Sequence, residues 1–266
     1  MGTRCGHVGE IWRYPVKSFR GERVDSADVG PAGLIGDRAY ALRDRATGRV
    51  LSGKRFARLF ECGATYPDGP AAPPEITLPD GHRVSPDRAG ETFSAWLGRD
   101  VELVRATADA TVSYDIAIQS IEEIEAGVDQ LAIDAGDFPC PPGSFFDAAP
   151  LHVLTDATLE ALREAYPGGR FDVRRFRPNV LVGAGGAVGR VEEGWSGHTL
   201  AIGSQVRASV LMGTIRCVMT TLPQYDLPRD PRILRTVAQE AGGNAGVYAT
   251  IDLPGTIRVG EPVTLE

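Results

Sequence analysis

Arg38-Ala-Tyr-Ala-Leu-Arg-Asp-Arg-Ala-Thr-Gly-Arg-Val-Leu-Ser52 reads as a β-hairpin. Ala46-Thr-Gly-Arg49 supplies the turn, and Arg38 to Leu42 and Val50 to Ser52 supply short arms. Upstream, Val8 to Val16 is mixed apolar, Arg23 to Val29 alternates, and Gly33 and Gly36 punctuate a turn. Downstream, Tyr66 to Pro74 is a loop, and Ile76 to Leu78 and His82 to Val84 flank Pro-Asp-Gly, a second hairpin signal. A short helix over Glu91 to Leu97 and a strand over Val101 to Val104 complete the pattern of an all-β unit.

Residues 105–150 carry few strand signals, and Asp137-Phe-Pro-Cys-Pro-Pro-Gly143 reads as a stiff connection. Asp156 to Tyr166 predicts a helix with Leu159, Leu162 and Ala165 on one face. Strands follow over Asn179 to Val182, Thr199 to Ile202, Val206 to Leu211, Val247 to Ile251 and Ile257 to Val259. A last helix starts at Asp230, a natural N-cap, with Pro231 suited to the first turn, and ends at Gly242-Gly243. The expected fold is mainly β with some α: an N-terminal β-barrel-like domain over residues 1–115, packed on a C-terminal β-barrel with peripheral helices over residues 116–266.

The chain has 266 residues, 42% apolar and 24% charged, enough for a sizeable core. Its net charge of −7 argues against a general nucleic-acid binder. No apolar run approaches the ~20 residues of a membrane span, and Met1 to His7 lacks the apolar core of a secretory signal. No membrane partner and a cytoplasmic location are therefore expected. Cys5, Cys62, Cys140 and Cys217 are far apart, as are the four histidines, so no zinc or iron–sulfur ligand set is legible. Of 28 basic residues only Lys17 and Lys54 are lysines. Either the placement is chance, or these two positions need a compact ammonium rather than a planar guanidinium.

Four segments stand out. In Arg13-Tyr-Pro-Val-Lys-Ser18, an ammonium and a hydroxyl follow a strand-breaking proline, which suits a phosphate or an ordinary solvated strand end. In Gly36-Asp-Arg-Ala-Tyr40, Arg38 either pairs with Asp37 at the surface or faces an anion shared with Lys17. Arg174-Arg-Phe-Arg-Pro-Asn179 leads into an apolar strand and offers planar donors to an anionic heterocycle, or else forms a solvated, salt-bridged loop. In Gly213-Thr-Ile-Arg-Cys-Val-Met-Thr-Thr221, Arg216 beside Cys217 favours a thiolate, a nucleophile or soft metal ligand. The alternative for Cys217 is a small buried hydrophobe.

Taken in order, these four segments resemble MOSC proteins that carry an N-terminal MOSC β-barrel domain. Pro254-Gly-Thr-Ile-Arg-Val-Gly-Glu-Pro-Val263 is similar to that family's last barrel strand. The resemblance runs from about residue 7 to 266, and its characterised members include amidoxime-reducing proteins and the C-terminal part of molybdenum cofactor sulfurases. It implies a molybdenum cofactor between the two domains, with Cys217 as the molybdenum ligand beside the two sulfurs of the pterin dithiolene. It implies cofactor contacts from Lys17, Ser18, Arg38, Arg177, Asn179 and Arg216.

The sequence departs from the family pattern at three places. Ile215 stands where the reductases often have serine. Ala148 and Ala149 follow Asp147 where hydroxyls are common, which leaves Asp147 as a catalytic candidate. Leu222-Pro-Gln-Tyr225 replaces Val-Asp-Pro and is expected to border the substrate mouth. The resemblance implies an oxidoreductase acting on a small N-hydroxylated or N-oxide substrate, with electrons from a separate donor protein. Sulfur transfer through a persulfide on Cys217 and a non-catalytic cofactor carrier are the alternatives.

Overall fold

The computed structural model describes residues 2–108, 111–116, 120–126 and 133–266, with 111–116 and 133–139 as backbone alone. Seven strands close a barrel: β1 (Thr3–Arg13), β2 (Leu151–Thr155), β3 (Val180–Gly183), β4 (Thr199–Ile202), β5 (Val206–Ile215), β6 (Asn244–Leu253) and β7 (Pro262–Leu265). The ring runs β1, β3, β2, β6, β5, β4, β7 and back to β1. Closure removes the unpaired edges that an open sheet exposes. Every neighbour is antiparallel except β2 and β3. A parallel pair needs a crossover, and a helix over Asp156–Ala165 provides it. Val8, Ile11, Val153, Val182, Leu200 and Val206 fill the interior.

The first stave lies far in sequence from the other six. β1 runs between β3 and β7, pairing Val8 with Val182 and His7 with Pro262. It stops at Arg13, just before Pro15 removes a ladder donor. The closing segment read as one strand is two. Gly255–Arg258 leaves the barrel to pair with Ser26–Gly30, and Pro262–Leu265 is the last stave. This exchange ties the N-terminal third of the chain to the barrel.

β2 was not foreseen. All five of its residues are buried, between the barrel interior and the outer helices, so no polar alternation marks it. The outer layer is the helix over Asp156–Ala165 and a second over Arg232–Ala241. In the second, Asp230 Oδ1 accepts from the Arg232 amide at 3.0 Å and Gly242 ends the helix in the left-handed region. Ile233, Val237 and Ala241 pack on Leu162, Phe171 and Phe176.

In the N-terminal third, Tyr40–Asp44 finds its main partner in Val101–Arg105. The hairpin return at Val50 is a single bridge to Arg43, closed by a 2.8 Å bond from the Leu51 amide to the Leu42 carbonyl. The second hairpin forms as read, with Glu75–Thr77 against Arg83–Val84. The helix foreseen over Glu91 to Leu97 starts earlier, at Pro86, where proline suits the first turn. Phe19, Leu42, Leu59, Ile76 and Phe93 form this part's core. Thr111–Ile116 and Ile133–Pro139 pair antiparallel in the stretch read as a connection.

Candidate functional site

A cavity of about 340 Å³ opens between the N-terminal third and the barrel. Seven of the eight residues singled out for the site line it: Lys17, Ser18, Arg38, Asp147, Arg177, Arg216 and Cys217. That volume lies within the usual range for small-ligand sites.

The backbone at this cavity is unusual. Four non-glycine residues adopt positive φ among the described residues, and three of them, Ser18, Arg38 and Arg177, line the cavity. Such conformations cost of order 1–3 kcal/mol each and persist where the surroundings enforce them. Arg177 ends the helical turn Val173–Phe176 with φ 54°, which turns its side chain away from those of Arg174 and Arg175. The Arg38 amide donates to the Tyr14 carbonyl at 2.7 Å, and the Tyr14 amide donates to Asp37 Oδ1 at 2.8 Å. Ser18 Oγ accepts from the Gly53 amide at 2.8 Å and holds the Ser52–Lys54 strap against the site.

Asp37 and Arg38 are not a surface pair. Both are buried, with Arg38 Nη1 2.5 Å from Asp37 Oδ2. Lys17 and Lys54, the chain's two lysines, converge on Asp147: Lys17 donates to Oδ1, and Lys54 lies 3.5 Å from Oδ2. Lys17 Nζ also donates to the Phe145 carbonyl at 2.8 Å. Burial opposes ionisation of Asp147, but Lys17, Lys54 and Arg38 outweigh it and hold the carboxyl well below its usual range. A carboxylate so stabilised acts as a counter-ion to the two lysines and favours its ionised form. Burial pushes Lys17 down, and Asp147 opposes that shift.

Arg177 and Arg216 differ from the other cations. Neither has a carboxylate partner among the described residues. Arg177 Nη1 donates to the Phe19 carbonyl at 2.7 Å and Arg216 Nη2 to the Phe176 carbonyl at 2.8 Å, but Arg177 Nη2 and Arg216 Nε are buried without a partner. Burial first, and then Arg38, pushes Arg177 down to about 10. His152 is held neutral chiefly by burial and then by Arg216 and Arg38. Its ring meets Tyr248 edge-on at 5.6 Å, and Tyr248 meets Phe146 at 6.1 Å, which makes an aromatic wall.

Cys217 stands at the N-cap of the turn Val218–Thr221, half-buried and facing the cavity. Thr220 and Thr221 do not reach the site. Their hydroxyls bond back to the carbonyls of Cys217 and Val218. Burial, the leading influence, raises the thiol of Cys62 to about 12 and also raises that of Cys5. Among the described residues no group of three or more His, Cys, Asp or Glu can hold a metal. No helix of the described residues is long and apolar enough to cross a membrane.

Asn179 does not line the cavity. It is fully buried, with Oδ1 accepting from the His152 amide and Nδ2 donating to the Trp12 carbonyl, so it staples β1, β2 and the start of β3. The arginine run also divides by role. Arg174 pairs with Asp172 and Asp226 at the surface. Arg175, 0% exposed, donates to the carbonyls of Arg170, Thr220, Leu222 and Pro228. Gln224 and Tyr225, expected at the substrate mouth, line a neighbouring cavity instead. Ile215 and Ala148 do border the main one. His152, Tyr248, Phe146 and the lip residues Met212 and Met219 were missed, and only Lys54 carried a signal, its rarity.

Two family descriptions match the chain: the MOSC N-terminal beta barrel domain over residues 5–120 and the MOSC domain over residues 141–264. Mitochondrial amidoxime-reducing component 1 of Mus musculus is 26% identical over 98% of this chain and 83% of its own length. Mitochondrial amidoxime reducing component 2 of Bos taurus and component 1 of Homo sapiens are each 24% identical with the same coverage. The crystal structure of the YuaD protein from Bacillus subtilis superposes with a TM-score of 0.50 at 11% identity, covering 100% of this chain and 98% of that one, a likeness of fold. A closed barrel, a preceding β-rich third and a lined cavity between them thus coincide with both family matches, and the chain is a MOSC-domain protein with a MOSC N-terminal beta barrel domain.

Proposed function

We propose that this protein is a molybdenum-cofactor oxidoreductase that reduces N-hydroxylated or N-oxide compounds. The observation that carries the reading is the pair Arg177 and Arg216, which line the cavity that holds Cys217 and each carry a buried N–H without a partner. Two guanidinium groups without a paired carboxylate among the described residues suit an anionic ligand, and one thiol suits a soft metal that brings its other sulfur ligands with it. The amidoxime-reducing names of the relatives point the same way.

The residues present fit the cofactor. Lys17, Lys54, Arg38 and Arg177 would hold its phosphate and pterin, and Cys217 its molybdenum. When bound, the cofactor supplies the two-electron cleavage of an N–O bond with release of water. The chain's own part is to bind, orient and exclude solvent. Arg177 and Arg216 neutralise the ligand's charge. Phe146, His152 and Tyr248 form a dry wall. Met212, Ile215 and Met219 make an apolar lip for an uncharged substrate. Electrons arrive from a separate donor protein.

The test is to denature protein purified from molybdate-fed cells and measure oxidised-pterin fluorescence and molybdenum, then assay benzamidoxime reduction with a chemical reductant. Pterin, metal and turnover together are expected. Absence of both pterin and molybdenum overturns the reading, and pterin without turnover replaces it with a cofactor carrier.

A further inference from the structure

A second cavity, of about 400 Å³, lies on the other side of Arg177. The N-terminal third gives it Trp12, Tyr14 and Arg20, and the barrel's loops give it Arg177, Gln224 and Tyr225. Cys217 does not line it. Its chemistry resembles neither a packed core nor a solvated seam.

Three observations point to a ligand. First, the side chain of Arg20 has no ion-pair or hydrogen-bond partner among the described residues, and its Nε is buried. Its guanidinium sits 4.4 Å from the centroid of the Tyr225 ring, over the backbone of Gly63. Secondly, Gln224 is 4% exposed and its Nε2 has no partner. A buried amide donor left unpaired costs roughly 1–3 kcal/mol. Thirdly, Tyr225 is the fourth non-glycine residue with positive φ among the described residues, at 53°, in the tight turn closed by the Gln224 and Leu227 backbones, and the residue is 68% exposed. A side chain there costs roughly 1–2 kcal/mol relative to glycine. The turn thus places a large aromatic ring where a glycine would be free of strain, and that ring covers the unpaired arginine.

No carboxylate lines this cavity among the described residues, whereas three arginines do: Arg20, Arg177 and Arg174, the last paired with Asp172 and Asp226. Trp12 and Tyr14 stack at 6.4 Å with their planes 15° apart and give it a flat apolar side.

We propose that this second cavity is a binding site for a small aromatic carboxylate, with Arg20 and Gln224 donating to the carboxylate and the Tyr225 and Trp12 rings flanking the aromatic part. Two planar donors suit a carboxylate's two oxygens. The two cavities share Arg177, but the residues that distinguish this site, Arg20, Gln224 and Tyr225, do not line the first.

The test is calorimetric titration of the purified full-length protein with benzoate, benzamide and acetate. Arg20→Gln and Tyr225→Ala are titrated alongside, and the molybdenum content of each is measured. Benzoate is expected to bind at least tenfold more tightly than benzamide or acetate. Arg20→Gln is expected to weaken benzoate at least tenfold and Tyr225→Ala severalfold, with molybdenum content unchanged in both. Tyr225→Ala removes an exposed ring and keeps the proposal testable if Arg20→Gln folds poorly. No benzoate binding, or binding that survives both substitutions, overturns the proposal. Binding abolished by Cys217→Ala but not by Arg20→Gln assigns benzoate to the first cavity and overturns it equally.

Discussion

Arg38 donates from Nη2 to the backbone carbonyl of Arg177 at 3.1 Å, which locks two buried guanidinium carriers side by side. Both press on the ring of Tyr14, with centroid distances of 4.4 and 4.1 Å. Asp37 pairs directly with Arg38, whereas Arg177 feels Asp37 and Asp147 only at a distance and has no carboxylate in contact among the described residues. The arrangement stores electrostatic cost that an anion would relieve.

Arg177→Met separates that cost from function. The fall of the Arg177 pKa to about 10 means that the folded protein penalises the charged form at neutral pH. On a scale of about 1.4 kcal/mol per pH unit, the penalty is on the order of 3 kcal/mol. It is relieved only as pH rises past 10. Methionine removes it at the expense of the bond to the Phe19 carbonyl. Differential scanning calorimetry of cofactor-free protein at pH 7 should show a Tm unchanged or a few degrees higher, while molybdenum content falls at least tenfold.

Asp147→Asn exposes the dependence of Lys17 on its counter-ion. The folded protein already pushes Lys17 down by burial, and Asp147 is what opposes the shift. Without it the lysine drops further, so the unfolded chain binds more protons across the range below the ordinary lysine value. Stability must then rise with pH. The variant should be about 1–3 kcal/mol less stable than wild type at pH 6, with the gap narrowing by pH 9.5. Urea titrations at the two pH values measure it.

Gly246→Ala tests how closely β6 approaches His152. At φ +85° an added Cβ would lie 2.4 Å from His152 Nε2 and 2.6 Å from the Val153 carbonyl. Strain and overpacking together should cost about 2–4 kcal/mol, read as a lowered urea midpoint with an unchanged slope.

Arg175→Met leaves four carbonyls in segment 170–228 without their buried donor. A loss of at least 3 kcal/mol is expected, on the scale of a broken buried charged network. Hydrogen exchange should speed selectively over residues 217–228, the turn that carries Cys217.

Much of the site was legible because its cations and thiol lie in short segments whose order mattered more than any one residue. Lys17, Ser18, Arg38, Arg177, Arg216 and Cys217 do converge. What sequence could not show was non-local. β1 pairs with strands some 170 and 250 residues later. β2 hid because five buried residues leave no alternation. Arg175 and Asn179 sit in the same motif as Arg177, yet the left-handed turn at Arg177 sends the three side chains to different tasks. Backbone conformation at one residue decided that division, and residue type alone does not encode it.

The most direct test of the cavity's assignment is X-ray absorption at the molybdenum edge for wild type and Cys217→Ser. Wild type should show three sulfur neighbours around the metal and the variant one fewer, with the pterin retained. An identical sulfur count in the two proteins would contradict Cys217 as the molybdenum ligand.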